Sequence, residues 1–313
     1  AFGWGMGHDV VGRAVAARLP EPWHTKLQGE VLRQFCEDNH YPDARRKFEE
    51  DKRITPEELA YLAGKKMANS GQFHSDEGRG VAFTLLVRAL RENRPESTLL
   101  WLGALSHSTA DMVACNHDPI AHLATYGWGD KDWDLRLSNG MSLGKMQPCL
   151  DLGWIETEPE AKAIWEKKVA TVVSADSGKG AEDAVLEVML AGLRGVGTCA
   201  PYGVSIVRDA AGWTAMKSPE CGTSLAESLS VLGCWAVERL LRDFQAAERL
   251  AKAGSVPGVA AAVTRRYQAA FEAFVHSRNY GDDSLVKGLV LPLKPEAPYL
   301  GVVSEPTWRM EQG

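Results

Sequence analysis

Along the chain, apolar residues recur mostly at intervals of three and four, and the strict alternation of a half-buried strand is scarce. The opening stretch "GWGMGHDVVGRAVAARL" leads straight into a helical pattern, and residues 78–92, "GRGVAFTLLVRALRE", form an amphipathic helix. Pro95 opens the next, "PESTLLWLGALSHSTADMVAC", because the first turn of a helix loses nothing from a missing N–H. A further helix is bounded by Asp118 as N-cap, Pro119 as first helical residue and Gly127 as stop. In the second half, helices are predicted over residues 158–175, 180–192, 224–253 and 256–276. Between them "VGTCAPYGVSIVRDAAGWTAMKSPECG" reads as an ordered loop with room for a short hairpin, and "GLRGVG" around Arg194 is a loop without the strand of a nucleotide-binding motif. From Tyr280 onward, Pro292, Pro295, Pro298 and Pro306 impose an irregular tail. The predicted fold class is all-α: one multi-helix domain over residues 1–279 and an irregular segment over 280–313.

Composition narrows what such a domain does. At 313 residues, 45% hydrophobic and 24% charged, the chain is of ordinary globular composition and long enough to bury a sizeable core. A net charge of -6 argues against a basic surface tracking many phosphates, so phosphate recognition would be local, through metals or a few cations. No apolar run reaches the length of a membrane span. The six cysteines, Cys36, Cys115, Cys149, Cys199, Cys221 and Cys234, form no CxxC pair and so no thiolate zinc site, although Cys199 and Cys221 could pair in an oxidising compartment. The small, apolar opening "AFGWGMGH" has the character of a start exposed by removal of a signal peptide, and a secreted or periplasmic location is the expectation.

The candidate chemistry sits in "HSTADMVACNH". His107 and Asp111 are one turn apart on a helix and share a face, so both can reach one ion, while His117 stands near the helix end and can serve a neighbouring ion. Imidazole and carboxylate are what zinc takes when thiolates are absent. A hydrogen-bonded His–Asp pair is the plain alternative. Upstream, His8 lies in "GWGMGHDVVGRAVAARL", Asp43 closes "CEDNHYPD" and His74 sits in "GQFHSDEGRG". Asp38 and His40 compete with Asp43 within one loop, and Pro42 favours Asp43 as the residue ending the turn. His24 and His276 read as surface or packing residues; Trp101, Trp165 and Trp235 fall on apolar helical faces and read as core.

Taken in order, an N-terminal Trp, an early His, an Asp, a His and His-x3-Asp-x5-His on a central helix resemble the trinuclear zinc phosphoesterases, the superfamily of bacterial zinc-dependent phospholipase C and the secreted single-strand-specific nucleases. The resemblance covers residues 4–125 and implies an all-helical domain holding two to three zinc ions. It assigns Asp43, His74, His107 and Asp111 to one zinc; His8, bridging Asp111 and the backbone of Trp4 to a second; and His117 to a third, with Asp43 and Asp111 as the catalytic carboxylates. Departures are visible. Ala1, Phe2 and Gly3 precede Trp4, and the family's later His with an Asp or Glu four residues on has no counterpart, so the third site is either absent or rebuilt from His122 with Asp118, Asp130, Asp132 or Asp134. His122, three residues past Pro119, also rivals His117 in a shifted register. The implied reaction is hydrolysis of a phosphodiester, in a phospholipid headgroup or single-stranded nucleic acid, by a metal-activated hydroxide, with at most transient contact with a membrane surface and no stable protein partner. Two other readings compete: an HD-type helical phosphohydrolase built on the His117–Asp118 doublet, and a non-enzymatic helical domain with a remnant metal site.

Overall fold

The structure is a computed structural model, and it describes residues 5–74, 76–113, 151–173, 205–209, 212–216 and 225–252. Among these, nine α-helices carry the architecture: α1 (Gly7–Ala16), α2 (Trp23–Lys26), α3 (Gly29–Asp38), α4 (Tyr41–Ala44), α5 (Pro56–Gly64), α6 (Asp76–Arg91), α7 (Pro95–Val113), α8 (Pro159–Val169) and α9 (Leu225–Lys252). Short 3-10 turns at Phe48–Glu50, Ser70–His74 and Leu152–Glu156 complete the helical part. The fold class is all-α. A two-stranded antiparallel hairpin, β1 (Ser205–Asp209) and β2 (Gly212–Met216), sets Ser205 opposite Met216 and Asp209 opposite Gly212, within the segment where the sequence has room for one. The expected helices at 119–126, 180–192 and 256–276, the Cys199–Cys221 pair, His276 and the tail from Tyr280 lie outside the described residues. No helix among the described residues is long and apolar enough to cross a membrane.

The core is the contact between α6, α7 and α9, with α1, α3 and α8 packed around it. Residues 97–111 of α7 are buried without exception, as expected of a helix that is apolar on nearly all sides and surrounded by others. On α9, by contrast, Leu229, Leu232, Val237, Leu240, Phe244 and Ala247 return every three to five residues, one stripe facing inward. The α6–α7 corner is set by local chemistry. Asn93 takes a left-handed φ of 52°, its N–H donates to the Leu90 carbonyl (3.2 Å) and the Arg94 N–H donates to Ala89 (2.9 Å), a helix stop after which Pro95 starts α7. Helix α8 ends at Val169, short of the predicted 158–175, where the β-branched run Thr171-Val172-Val173 disfavours continuation. Trp101 and Trp165 are buried as expected; Trp235 is only half-buried, packed against the core from its edge.

One glycine fixes how close α3 comes to α7. A Cβ at Gly103 would lie 2.7 Å from the backbone carbon and the Cβ of Asp38, so the end of α3 rests directly on the α7 backbone. Gly103→Ala is therefore expected to destabilise the fold by about 1–3 kcal/mol, the usual cost of overpacking. Urea unfolding reads this directly, and a midpoint unchanged from the parent would contradict the close approach.

Candidate metal centre

The residue after α3 begins the site. Asn39 is fully buried, its side-chain N–H donates to the Phe35 carbonyl (2.8 Å), and its own carbonyl accepts from His107 Nδ1 at 2.6 Å. A carbonyl oxygen can only accept, so the His107 proton sits on Nδ1 and Nε2 points onward with a lone pair. His74 is arranged likewise: its Nδ1 donates to the Gly71 carbonyl (2.7 Å) within the Ser70–His74 turn. That turn is tied to α4 by Ser70, whose hydroxyl donates to the Tyr41 carbonyl (2.6 Å) and accepts from the Arg46 N–H (2.9 Å). Helix α4 carries Asp43, and the tie brings Asp43 Oδ1 to 3.1 Å from His74 Nε2.

These pieces converge on the last two turns of α7. His107 Nε2 lies 3.0 Å from His74 Nε2, 3.2 Å from Asp111 Oδ2 and 3.7 Å from Asp43 Oδ1. Asp111 Oδ2 is also 3.7 Å from His74 Nε2, and Asp111 Oδ1 is 3.2 Å from His8 Nε2. The His8 ring, from the first turn of α1, stacks on the His107 ring at 3.8 Å and 14°, and its Nδ1 has no hydrogen-bond partner among the described residues. Ligand atoms of His8, Asp43 and His107, and likewise of His74, His107 and Asp111, all lie within 4.8 Å of one another. Such groups could hold a metal ion. His8, His107 and Asp111 are buried, whereas the side chains of Asp43 and His74 are 34% and 31% exposed and form the open side.

The structure thus brings together five of the residues singled out in the sequence: His8, Asp43, His74, His107 and Asp111. Trp4, His117, His122 and Asp118 lie outside the described residues. Asp38, the rival to Asp43, turns away into a paired salt bridge with Arg53 (2.8 and 2.9 Å), and His24 is exposed. His40, the other rival, borders the centre without joining it: its Nε2 is 2.9 Å from Asp9 Oδ1 and its ring stands edge-on to His8 at 5.7 Å. Residues missed by sequence reasoning are Asn39 and Gly71, which orient imidazoles through backbone oxygens and so leave no side-chain signature.

Electrostatics separate the histidines. Burial, reinforced by the neighbouring His107, pushes His8 down to about 4, against the pull of Asp111. For His74, burial is outweighed by the hydrogen bond to Asp43 and the charge of Asp111, and its pKa is raised. The same contact overcomes burial at Asp43 and lowers it. In metal-free protein, an NMR titration of the imidazoles is expected to show His8 neutral until about pH 4 and His74 protonated beyond the ordinary range. Because the folded pKa of His8 is depressed, its share of the stability is intact above the unfolded value near 6.5 and is lost as pH falls toward 4. Coincident midpoints for the two rings would contradict the buried stack.

Comparison of the chain with protein-family models, with curated proteins and with solved structures returned no match.

Proposed function

We propose that the chain is a zinc-dependent phosphoesterase that hydrolyses phosphodiester bonds at the centre formed by His8, Asp43, His74, His107 and Asp111. One observation carries the reading: two imidazoles, each with its proton fixed on Nδ1 by a backbone carbonyl, direct their Nε2 atoms at each other across 3.0 Å. Two lone pairs that close repel unless positive charge lies between them: a proton on His74 Nε2, shared with Asp43, in the metal-free protein, or a cation in its place. A cation satisfies both, and a nitrogen–nitrogen separation of about 3.3 Å is what two imidazoles at roughly 2.0–2.1 Å from one zinc require. His8 Nδ1, which has no partner among the described residues, and the buried Asp111 carboxylate fit the same need for a cation. Imidazole with carboxylate and no thiolate is the donor set of catalytic zinc sites.

When bound, the ions would polarise a phosphoryl oxygen and acidify water near neutral pH. The chain's own residues divide the remaining work. Asp111 balances the positive charge among three imidazoles, His107 and His74 keep their rings oriented through Asn39 and Gly71, and Asp43 stands at the open side, where it can accept a proton from attacking water. That open side favours an enzyme over a purely structural metal, which is normally enclosed by its ligands. The substrate class is a phosphodiester of a phospholipid headgroup or single-stranded nucleic acid, two to three zinc ions are implied by the family resemblance, and a secreted or periplasmic location accords with it.

The test is elemental analysis of the undialysed protein together with hydrolysis of bis(p-nitrophenyl) phosphate. Two or three zinc ions per chain, with turnover that a chelator abolishes and zinc restores, is the expected result. Metal-loaded protein that leaves the diester intact would favour a structural metal, and a folded chain that takes up no divalent cation would end the proposal.

A further inference from the structure

His107 and His74 each have a backbone oxygen that fixes the ring, and His8 has none among the described residues. Its place in the centre depends on where the first turn of α1 sits, since Gly7 opens the helix and His8 comes next. That turn has no cap of its own: Met6, at the N-cap position, offers no side-chain hydrogen bond. The acceptor comes from a distant part of the chain. Asp151 Oδ1 accepts from the Gly7 N–H at 2.8 Å, 144 positions away in sequence, and from the Gly153 N–H at 2.8 Å, where it also caps the Leu152–Glu156 turn. The two elements are pressed together at this point, for a Cβ on Gly153 would overlap the Cβ of Met6.

Resting on the metal-centre reading, we propose that Asp151 is a positioning residue of that centre: its carboxylate locks the first turn of α1 to the Leu152–Glu156 turn and thereby holds His8 against His107 and Asp111. A carboxylate at a helix N-terminus satisfies orphan N–H groups and opposes the positive end of the helix dipole. Of the other tethers of α1, Asp9 meets His40 Nε2 at 2.9 Å through its side chain, Arg13 pairs with Glu156, and an Arg18 N–H donates to the Val169 carbonyl at 2.8 Å just past the helix end; none of them takes up the N–H groups that open the turn bearing His8. Asp151 therefore does through the backbone what Asn39 and Gly71 do for their imidazoles directly. Groups that orient metal ligands in this way are typically worth 10–100-fold in metal affinity.

The experiment uses the full chain with zinc as the probe, titrated calorimetrically, and a second reading on metal-free protein, the NMR contact between the stacked rings of His8 and His107. Asp151→Ala is expected to weaken zinc binding by roughly 10–100-fold and to lose the His8–His107 contact while the His74–His107 contact persists. Asp151→Asn, which keeps an oxygen acceptor, restores most of both. Combining Asp151→Ala with His8→Ala costs no more than His8→Ala alone, the signature of one residue acting through the other. Glu156→Gln, which loosens α1 away from its first turn, stays within about twofold of the parent, well inside the range that loss of an orienting group spans. Parent-like affinity and an intact ring contact in Asp151→Ala would overturn the proposal, as would fully additive losses in the double variant, or loss of both ring contacts in Asp151→Asn as well. If the parent itself binds no zinc, the functional reading falls, and the ring contact alone decides the role of Asp151.

Discussion

Asp111→Asn lowers the affinity for zinc by at least about a hundredfold, the upper end of what loss of a mere orienting group costs. Asp111 is a buried carboxylate within 3.7 Å of three imidazoles: Oδ1 faces His8 at 3.2 Å, while Oδ2 faces His107 at 3.2 Å and His74 at 3.7 Å. An amide of the same shape keeps one acceptor but turns an N–H2 donor toward an imidazole or a cation and removes the charge that offsets the bound ion. Because a cation binds the folded chain alone, zinc at a hundred times its Kd should raise the parent's stability by about 2.7 kcal/mol. The variant should show no such shift, and its metal-free melting temperature lets the two effects be separated. Phosphodiester hydrolysis is expected to disappear with the metal. An Asp111→Asn protein with full zinc content and the parent's thermal shift would sink the assignment.

The largest effect expected away from the centre is at Glu58, whose side chain is fully buried. Its Oε1 accepts from Arg94 (2.6 Å) and from the Trp101 indole N–H (3.0 Å), and its Oε2 accepts from the Thr55 N–H (2.9 Å), one half of the capping box that starts α5. Glu58→Ala strands the buried Trp101 N–H, leaves Arg94 with Glu92 (2.8 Å) as its remaining carboxylate, and opens a cavity beside the start of α7. Breaking such a buried pair from one side costs about 3–5 kcal/mol. Thr55→Ala, which removes only the other half of the box, should cost about 1 kcal/mol. Equilibrium urea unfolding of both compares them directly; equal, small losses would mean that Glu58 acts as a cap and nothing more.

What could be read from the sequence was whatever is periodic or local. The helices around residues 78–92 and 224–253 and the Pro95 start follow from apolar spacing and proline chemistry, and His107 with Asp111 follows from a single helical turn. Asp43 was distinguishable from Asp38 because Pro42 marks the turn, and Asp38 indeed serves Arg53 instead. Illegible were the contacts made by backbone oxygens, since Asn39 and Gly71 act through atoms every residue has. Equally hidden were pairings between remote segments: Glu58 with Trp101, and the stacking of His8 on His107, exist only once α5 and α1 have docked on α7. The early end of α8 reflects β-branching outweighing an apolar pattern that would otherwise continue.

The long reach from Gly7 to Asp151 also has a meaning in time. A chain is made from its N-terminus at roughly 5–20 residues per second, so Asp151 leaves the ribosome about 7 to 30 seconds after the helix start it must hold. His74, His107, Asp43 and Asp111 are all synthesised before that moment, as are Gly71 and Asn39, whose carbonyls orient the two imidazoles. A nascent chain thus carries four of the five candidate ligands, with the first turn of α1 not yet tied to Asp151, for many seconds before the fifth is locked. A cation that needs only those four can enter early, whereas occupation that depends on His8 waits for the second half of the protein.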